Sequence, residues 1–163
     1  MDDLFAPVGG AWQPVSPRLA SVRRILVAGA AAIGLVAGGV LLLVLPDLWW
    51  IGTAVAVLAV TAAVWGWVWA GRNQRSWGYA EEADDLLVTR GVLFRRLVAI
   101  PYGRMQFVDV QAGPIDRAFG IATVTLHTAS SETAADIPGL PAAEATRLRN
   151  RLTELGESRG AGL

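Results

Sequence analysis

ILVAGAAAIGLVAGGVLLLVL (residues 25–45) and LWWIGTAVAVLAVTAAVWGWVWA (residues 48–70) stand almost back to back, parted only by Pro46-Asp47. Each run carries no charge and has the length a helix needs to cross a hydrocarbon core of roughly 30 Å. The pattern predicts a two-helix membrane hairpin. A secretory signal peptide competes for the first run only, and it would be shorter and end at a small-residue cleavage site rather than lead straight into a second span.

Charge sets the expected orientation. Arg18, Arg23 and Arg24 precede the first run and Arg72 and Arg75 follow the second, while the turn offers only Asp47. Positive residues stay on the cytoplasmic side, so both termini are expected there, in a multi-pass protein of the inner membrane. Trp49 and Trp50 beside the turn and Trp65, Trp67 and Trp69 at the far end form two aromatic belts, where an indole buries its ring and keeps its N–H hydrogen-bonded. Within the first run Gly34 and Gly38 make a small-xxx-small step, answered in the second by Ala56, Ala59, Ala63 and Gly66. Such faces let backbones approach in lipid, either within the hairpin or between proteins. The uncharged spans argue against a proton relay, channel or transporter.

Ahead of the hairpin, residues 1–15 read as a loose tail with Trp12 as a headgroup anchor. Ser16-Pro17 reads as the cap of a short interfacial helix running to Arg24. The expected division is thus residues 1–24 as tail and interfacial helix, 25–70 as hairpin, and 71–163 as a cytosolic domain large enough for one core.

After Arg75 the alternation has period two, the mark of strands with one buried face. Strands are expected at residues 77–81, 86–89, 95–100, 105–111, 121–128 and 133–137, with antiparallel neighbours because the connections are short. Gly91 turns the second into the third. From Pro141, Ala145, Leu148, Leu152 and Leu155 recur at helical spacing, with Gly156 as the stop and residues 157–163 frayed. Strands closed by one C-terminal helix follow from this pattern.

The run Ile100-Pro101-Tyr102-Gly103-Arg104-Met105-Gln106-Phe107-Val108-Asp109-Val110 carries a resemblance, with Gly113-Pro114-Ile115-Asp116-Arg117-Ala118-Phe119-Gly120-Ile121-Ala122, residues 126–129 and Ile137-Pro138-Gly139-Leu140. These segments resemble the bacterial pleckstrin-homology-like family (bPH2, YdbS-type membrane proteins), over residues 77–155, and the hairpin matches that family's layout. Phe107 departs from the small or polar residue more usual there. The resemblance implies an α+β membrane protein: a transmembrane hairpin, then a PH-like antiparallel β-barrel or sandwich with a C-terminal capping helix. It implies little about activity, since a fold does not fix function.

Chemistry is sparse. The chain has no cysteine and no lysine, and its 14 basic residues, all arginine, read first as the codon bias of a GC-rich genome. Arginines and acids balance from Gly71 onward, so no polyanion-binding field and no nucleic-acid partner are expected. His127 stands without a metal-ligand spacing, Ser130-Ser131 are loop residues, and no phosphate-binding glycine loop is present. No cofactor, metal or catalytic set is expected.

The remaining candidates are contacts for lipids or a protein. Arg104 and Gln106 would share a strand face if no bulge intervenes, Arg104 serving either as an anion-binding fork or as a brace to Asp109 or Asp116. Arg117 would project from a short helix opened by Gly113-Pro114. Arg95 and Arg96 flank the Gly91 turn and would meet anionic headgroups unless Glu81, Glu82, Asp84 and Asp85 share their surface. The sequence therefore suggests a non-enzymatic protein-binding scaffold within a membrane assembly, joined to a second membrane protein or to its own copies. The alternative is a regulatory sensor of anionic lipid headgroups.

Overall fold

The computed structural model describes residues 11–128 and 134–160; Ser130-Ser131 lie outside them, as do most of the expected tail and the last three residues. Two compact units result, one formed by residues 20–72 and the other by the residues up to Leu19 together with those from Asn73 onward.

The first unit is the hairpin. Helix α1 (Arg18–Val44) and helix α2 (Trp49–Arg75) are joined by a 3-10 turn, Pro46–Leu48, in which proline takes its favoured first position. Their apolar stretches are only 6% buried, which sets them apart from core helices of a soluble protein. The glycine step is used inside the hairpin: a Cβ on Gly34 would lie 2.8 Å from Ala59 Cβ, and one on Gly38 would lie 3.0 Å from the Gly52 carbonyl. Gly52, Ala56, Ala59, Ala63, Gly66 and Ala70 recur along the covered side of α2. Close backbone approach of this kind replaces the hydrophobic drive that lipid cannot supply. At the other end, the guanidinium of Arg24 lies 5.1 Å from the Trp67 ring and that of Arg23 lies 5.9 Å from Trp69. Trp49 and Trp50 open α2 and, like Trp65, are exposed.

The second unit is built of two antiparallel sheets. Strand β1 (Gln13–Pro14) pairs with β2 (Gly78–Glu81), which pairs with β3 (Asp85–Arg90), which pairs with β4 (Arg96–Pro101). The second sheet runs β5 (Met105–Gln111), β6 (Ile121–Thr128), β7 (Ala135–Pro141). A short helix, α3 (Pro114–Ala118), links β5 to β6, and α4 (Ala142–Gly160) closes the fold. Alternation places Leu86, Val88 and Ile100 of one sheet and Ile121, Val124, Leu126 and Ile137 of the other in one core, and Ala145, Leu148 and Leu152 of α4 fill it. This is the expected α+β class, a PH-like pair of sheets with a capping helix behind an apolar hairpin.

Four details differ from the sequence reading. Gln13–Pro14, expected in a loose tail, forms a strand, and Val15 beside it is buried; the hairpin is therefore inserted between the first and second strands rather than placed ahead of the domain. No separate interfacial helix forms, because α1 runs unbroken from Arg18, whose N–H donates to Ser16 Oγ at 3.3 Å. The last strand, expected to end at residue 137, runs on as β7 through Pro138 and Gly139 to Pro141, with Gly139 at φ +73° and a register shift between Ala122 and Val124. Helix α4 does not stop at Gly156: Arg159 donates to Ala83 O at 2.7 Å, pairs with Asp84 and lies over the Tyr102 ring, and these contacts outweigh the glycine's weak helix propensity.

Candidate functional site

Edge strands carry unspent backbone donors and acceptors, and β5 is one: its order in the sheet leaves one side unpaired among the described residues. Beside that edge lies a groove of about 390 Å³ between Met105, Gln106, Phe107 and Val108 on the strand and Leu152, Thr153, Gly156 and Glu157 on α4. Three features of the sequence produce it. The 3-10 turn Tyr102–Arg104 swings the chain from one sheet to the other, and the register slips between Met105 and Phe107, so the strand begins twisted. Gly156, lacking a side chain, keeps the helix side of the groove open. Phe107 stays 56% exposed, yet its ring stacks on His127 with centroids 4.1 Å apart and planes 15° apart, which fixes its direction. The arrangement offers a hydrogen-bonding edge, an apolar floor and few charges, a surface suited to strand addition.

The opposite side of α4 is locked by ion pairs. Arg147 Nη2 lies 2.6 Å from Glu144 Oε1 and 2.5 Å from Glu81 Oε1, and the Tyr79 hydroxyl donates to Glu144 Oε1 at 2.8 Å. Glu81, Glu144 and Arg147 line a hollow of about 590 Å³ with Gln13, Pro14, Tyr79, Leu140 and Pro141, and their charges are spent on one another. Hydrogen bonding from Arg147 holds the Glu144 carboxyl below its ordinary 4.5, burial opposing it and the Tyr79 hydroxyl assisting. Burial, with Glu144 alongside, pushes the Tyr79 phenol up, and burial brings that of Tyr102 to about 12. The Glu81 to Asp85 turn is thus clamped by Arg147 and Arg159 instead of being freely solvated.

Linkage follows from the depressed Glu144 value. The folded carboxylate holds its proton less tightly than the unfolded one, so its stabilisation is fully present above about pH 4.5 and lost as pH falls through the lower folded value. Glu144→Gln is expected to lower the urea midpoint at pH 7 and to flatten the decline on acidification. Parallel acid limbs in the two proteins would count against the clamp.

The sequence-derived candidates are dispersed. Arg95 and Arg96 are exposed at the β3–β4 turn. Arg104 is in the 3-10 turn at the other end of β4, about 17 Å away along a six-residue strand. It therefore shares no strand face with Gln106, and among the described residues it pairs with neither Asp109 nor Asp116. Gln106 lines the β5 groove. Arg117 is exposed on α3, whose following residue Phe119 accepts a 3.0 Å hydrogen bond from Arg18 Nη1. Sequence reasoning passed over Phe107, Leu152 and Gly156 as groove residues, because which strand ends a sheet depends on pairing between distant segments. Among the described residues no group of acids and histidines could hold a metal ion.

Comparison with known proteins agrees with this architecture. The chain is 29% identical over 112 residues to the UPF0699 transmembrane protein YdbS of Bacillus subtilis (strain 168), covering 69% of this chain and 64% of that protein. It thus spans just under two thirds of its relative's length. No solved structure matches the chain. Two apolar helices and this likeness make it a membrane protein with a PH-like domain. A family model described as Bacterial PH domain matches residues 20–156, from the hairpin through α4, and the chain belongs to that family.

Proposed function

We propose that the chain is a non-enzymatic scaffold of the inner membrane, an accessory subunit whose PH-like unit takes an extended segment of another membrane-assembly protein along β5. The observation that carries this reading is the unpaired β5 edge set against the groove to α4, with Phe107 held out by its stack on His127. Main-chain hydrogen bonds along the edge would supply affinity, and the hollow over Met105 and Leu152 would select an apolar side chain. The hairpin makes recruitment unnecessary, so the groove serves assembly rather than localisation. Arginines around the span ends, against Asp47 at the turn, support a cytosolic placement for both chain ends.

A photo-crosslinking residue at Gln106 in the full-length protein, expressed in cells, tests the proposal. An adduct is expected there, absent from the same probe at Arg149 on the outer side of α4, and lost when Phe107→Asp is added. Its mass distinguishes a different protein from a second copy. Equal labelling at both positions, or none at Gln106, overturns the reading.

A further inference from the structure

We infer that the turn between β3 and β4 dips into the lipid interface and forms a second, non-helical membrane contact. Leu93 and Phe94 stand side by side at this turn and are each 89% exposed, the most exposed large apolar side chains among the described residues. Adjacent bulky apolar side chains projecting from a turn are costly in water and mark an interaction surface.

Register identifies what they meet. Gly78 pairs with both Pro14 and Thr89, and Arg90 pairs with Arg96, so the turn lies at the end of the sheet where β2 starts and β1 finishes. Those are the two points where the chain connects to α2 and α1, three and four residues away respectively. The chain thus leaves this sheet end for the first apolar helix and re-enters it from the second.

Charge points the same way. Between Asp85 and Asp109 the chain has four arginines and no acid, and Arg90, Arg95 and Arg96 flank the apolar pair. The acids at residues 81–85 belong to the opposite end, since Glu81 pairs with Leu86 at the far turn of the β2–β3 hairpin. Basic side chains around an apolar tip match an anionic leaflet, with the guanidiniums at headgroup level and the apolar pair beneath. Arg90 lies 5.8 Å from the Trp77 ring, giving this sheet end an aromatic-cationic rim of the kind found at membrane surfaces. Glycine is needed to close the turn: Gly91 has φ +114°, and a Cβ there would come within 1.9 Å of the Phe94 carbonyl.

The absence of cysteine makes a direct test simple. Full-length Phe94→Cys and Ala83→Cys, the latter in the opposite turn, are each labelled with an environment-sensitive fluorophore and placed in vesicles of phosphatidylcholine and phosphatidylglycerol. The label at 94 is expected to emit further to the blue and to be quenched severalfold more by brominated acyl chains than the label at 83. Arg95→Glu with Arg96→Glu is expected to reduce that quenching. Equal quenching at both positions overturns the inference, as does shielding of residue 94 that occurs in native membranes and is absent from pure lipid, which would assign the tip to a protein.

Discussion

Leu148→Ala is expected to cost the α/β unit about 2–5 kcal/mol, the range for emptying a leucine's place in a core that cannot fully collapse. Leu148 is completely buried, on the stripe of α4 that also presents Ala145 and Leu152. The two sheets pair with each other nowhere among the described residues, so the helix is what closes the space between them. Removing a leucine from its middle leaves a void bordered by both sheets, and relaxing one tears at the other. Urea unfolding in mild detergent, followed by circular dichroism, gives the change directly. Leu155→Ala, at a half-buried position two turns on, is expected to cost less. A loss below about 0.5 kcal/mol for Leu148→Ala, the scale of an ordinary surface change, would mean that α4 decorates the sheets instead of completing their core.

How much of this was legible in the sequence depended on how local each signal was. The hairpin could be read because uninterrupted apolar length is its own evidence, and β2 to β6 because alternation over four or more residues leaves a pattern. Gln13–Pro14 leaves none: two residues have no period, and their pairing is created by Gly78, which lies across the whole hairpin in sequence. The extension of α4 past Gly156 was hidden for a related reason, since Arg159 is held by a turn more than seventy residues earlier. Arg104 and Gln106 looked coplanar only while the strand was assumed regular. Leu93 and Phe94 fall in the expected Gly91 turn, but only the register shows that this turn and the acids at residues 81–85 lie at opposite ends of the sheet. The groove along β5 was illegible in principle, because an edge is a property of the sheet and not of any strand.

The insertion of the hairpin between β1 and β2 makes Gly139→Val the second large effect. Gly139 has φ +73°, in β7, and a Cβ there would lie 2.7 Å from Leu19 Cβ, while its carbonyl accepts the Ser16 N–H at 3.0 Å. A β-branched residue in that left-handed conformation costs about 1–3 kcal/mol before packing is considered, and the collision with Leu19 adds overpacking of about 1–3 kcal/mol. The two parts separate by a double-mutant cycle. Leu19→Ala removes the collision and leaves the backbone strain, so Gly139→Val should cost less in that background than in the wild type. A coupling above about 0.5 kcal/mol, beyond ordinary additivity, is expected from unfolding midpoints of the four proteins. Because Leu19 precedes the first span and Gly139 follows the second, such coupling requires the chain before the hairpin to be part of the same folded unit as the chain after it. Simple additivity would return Gln13–Val15 to a tail.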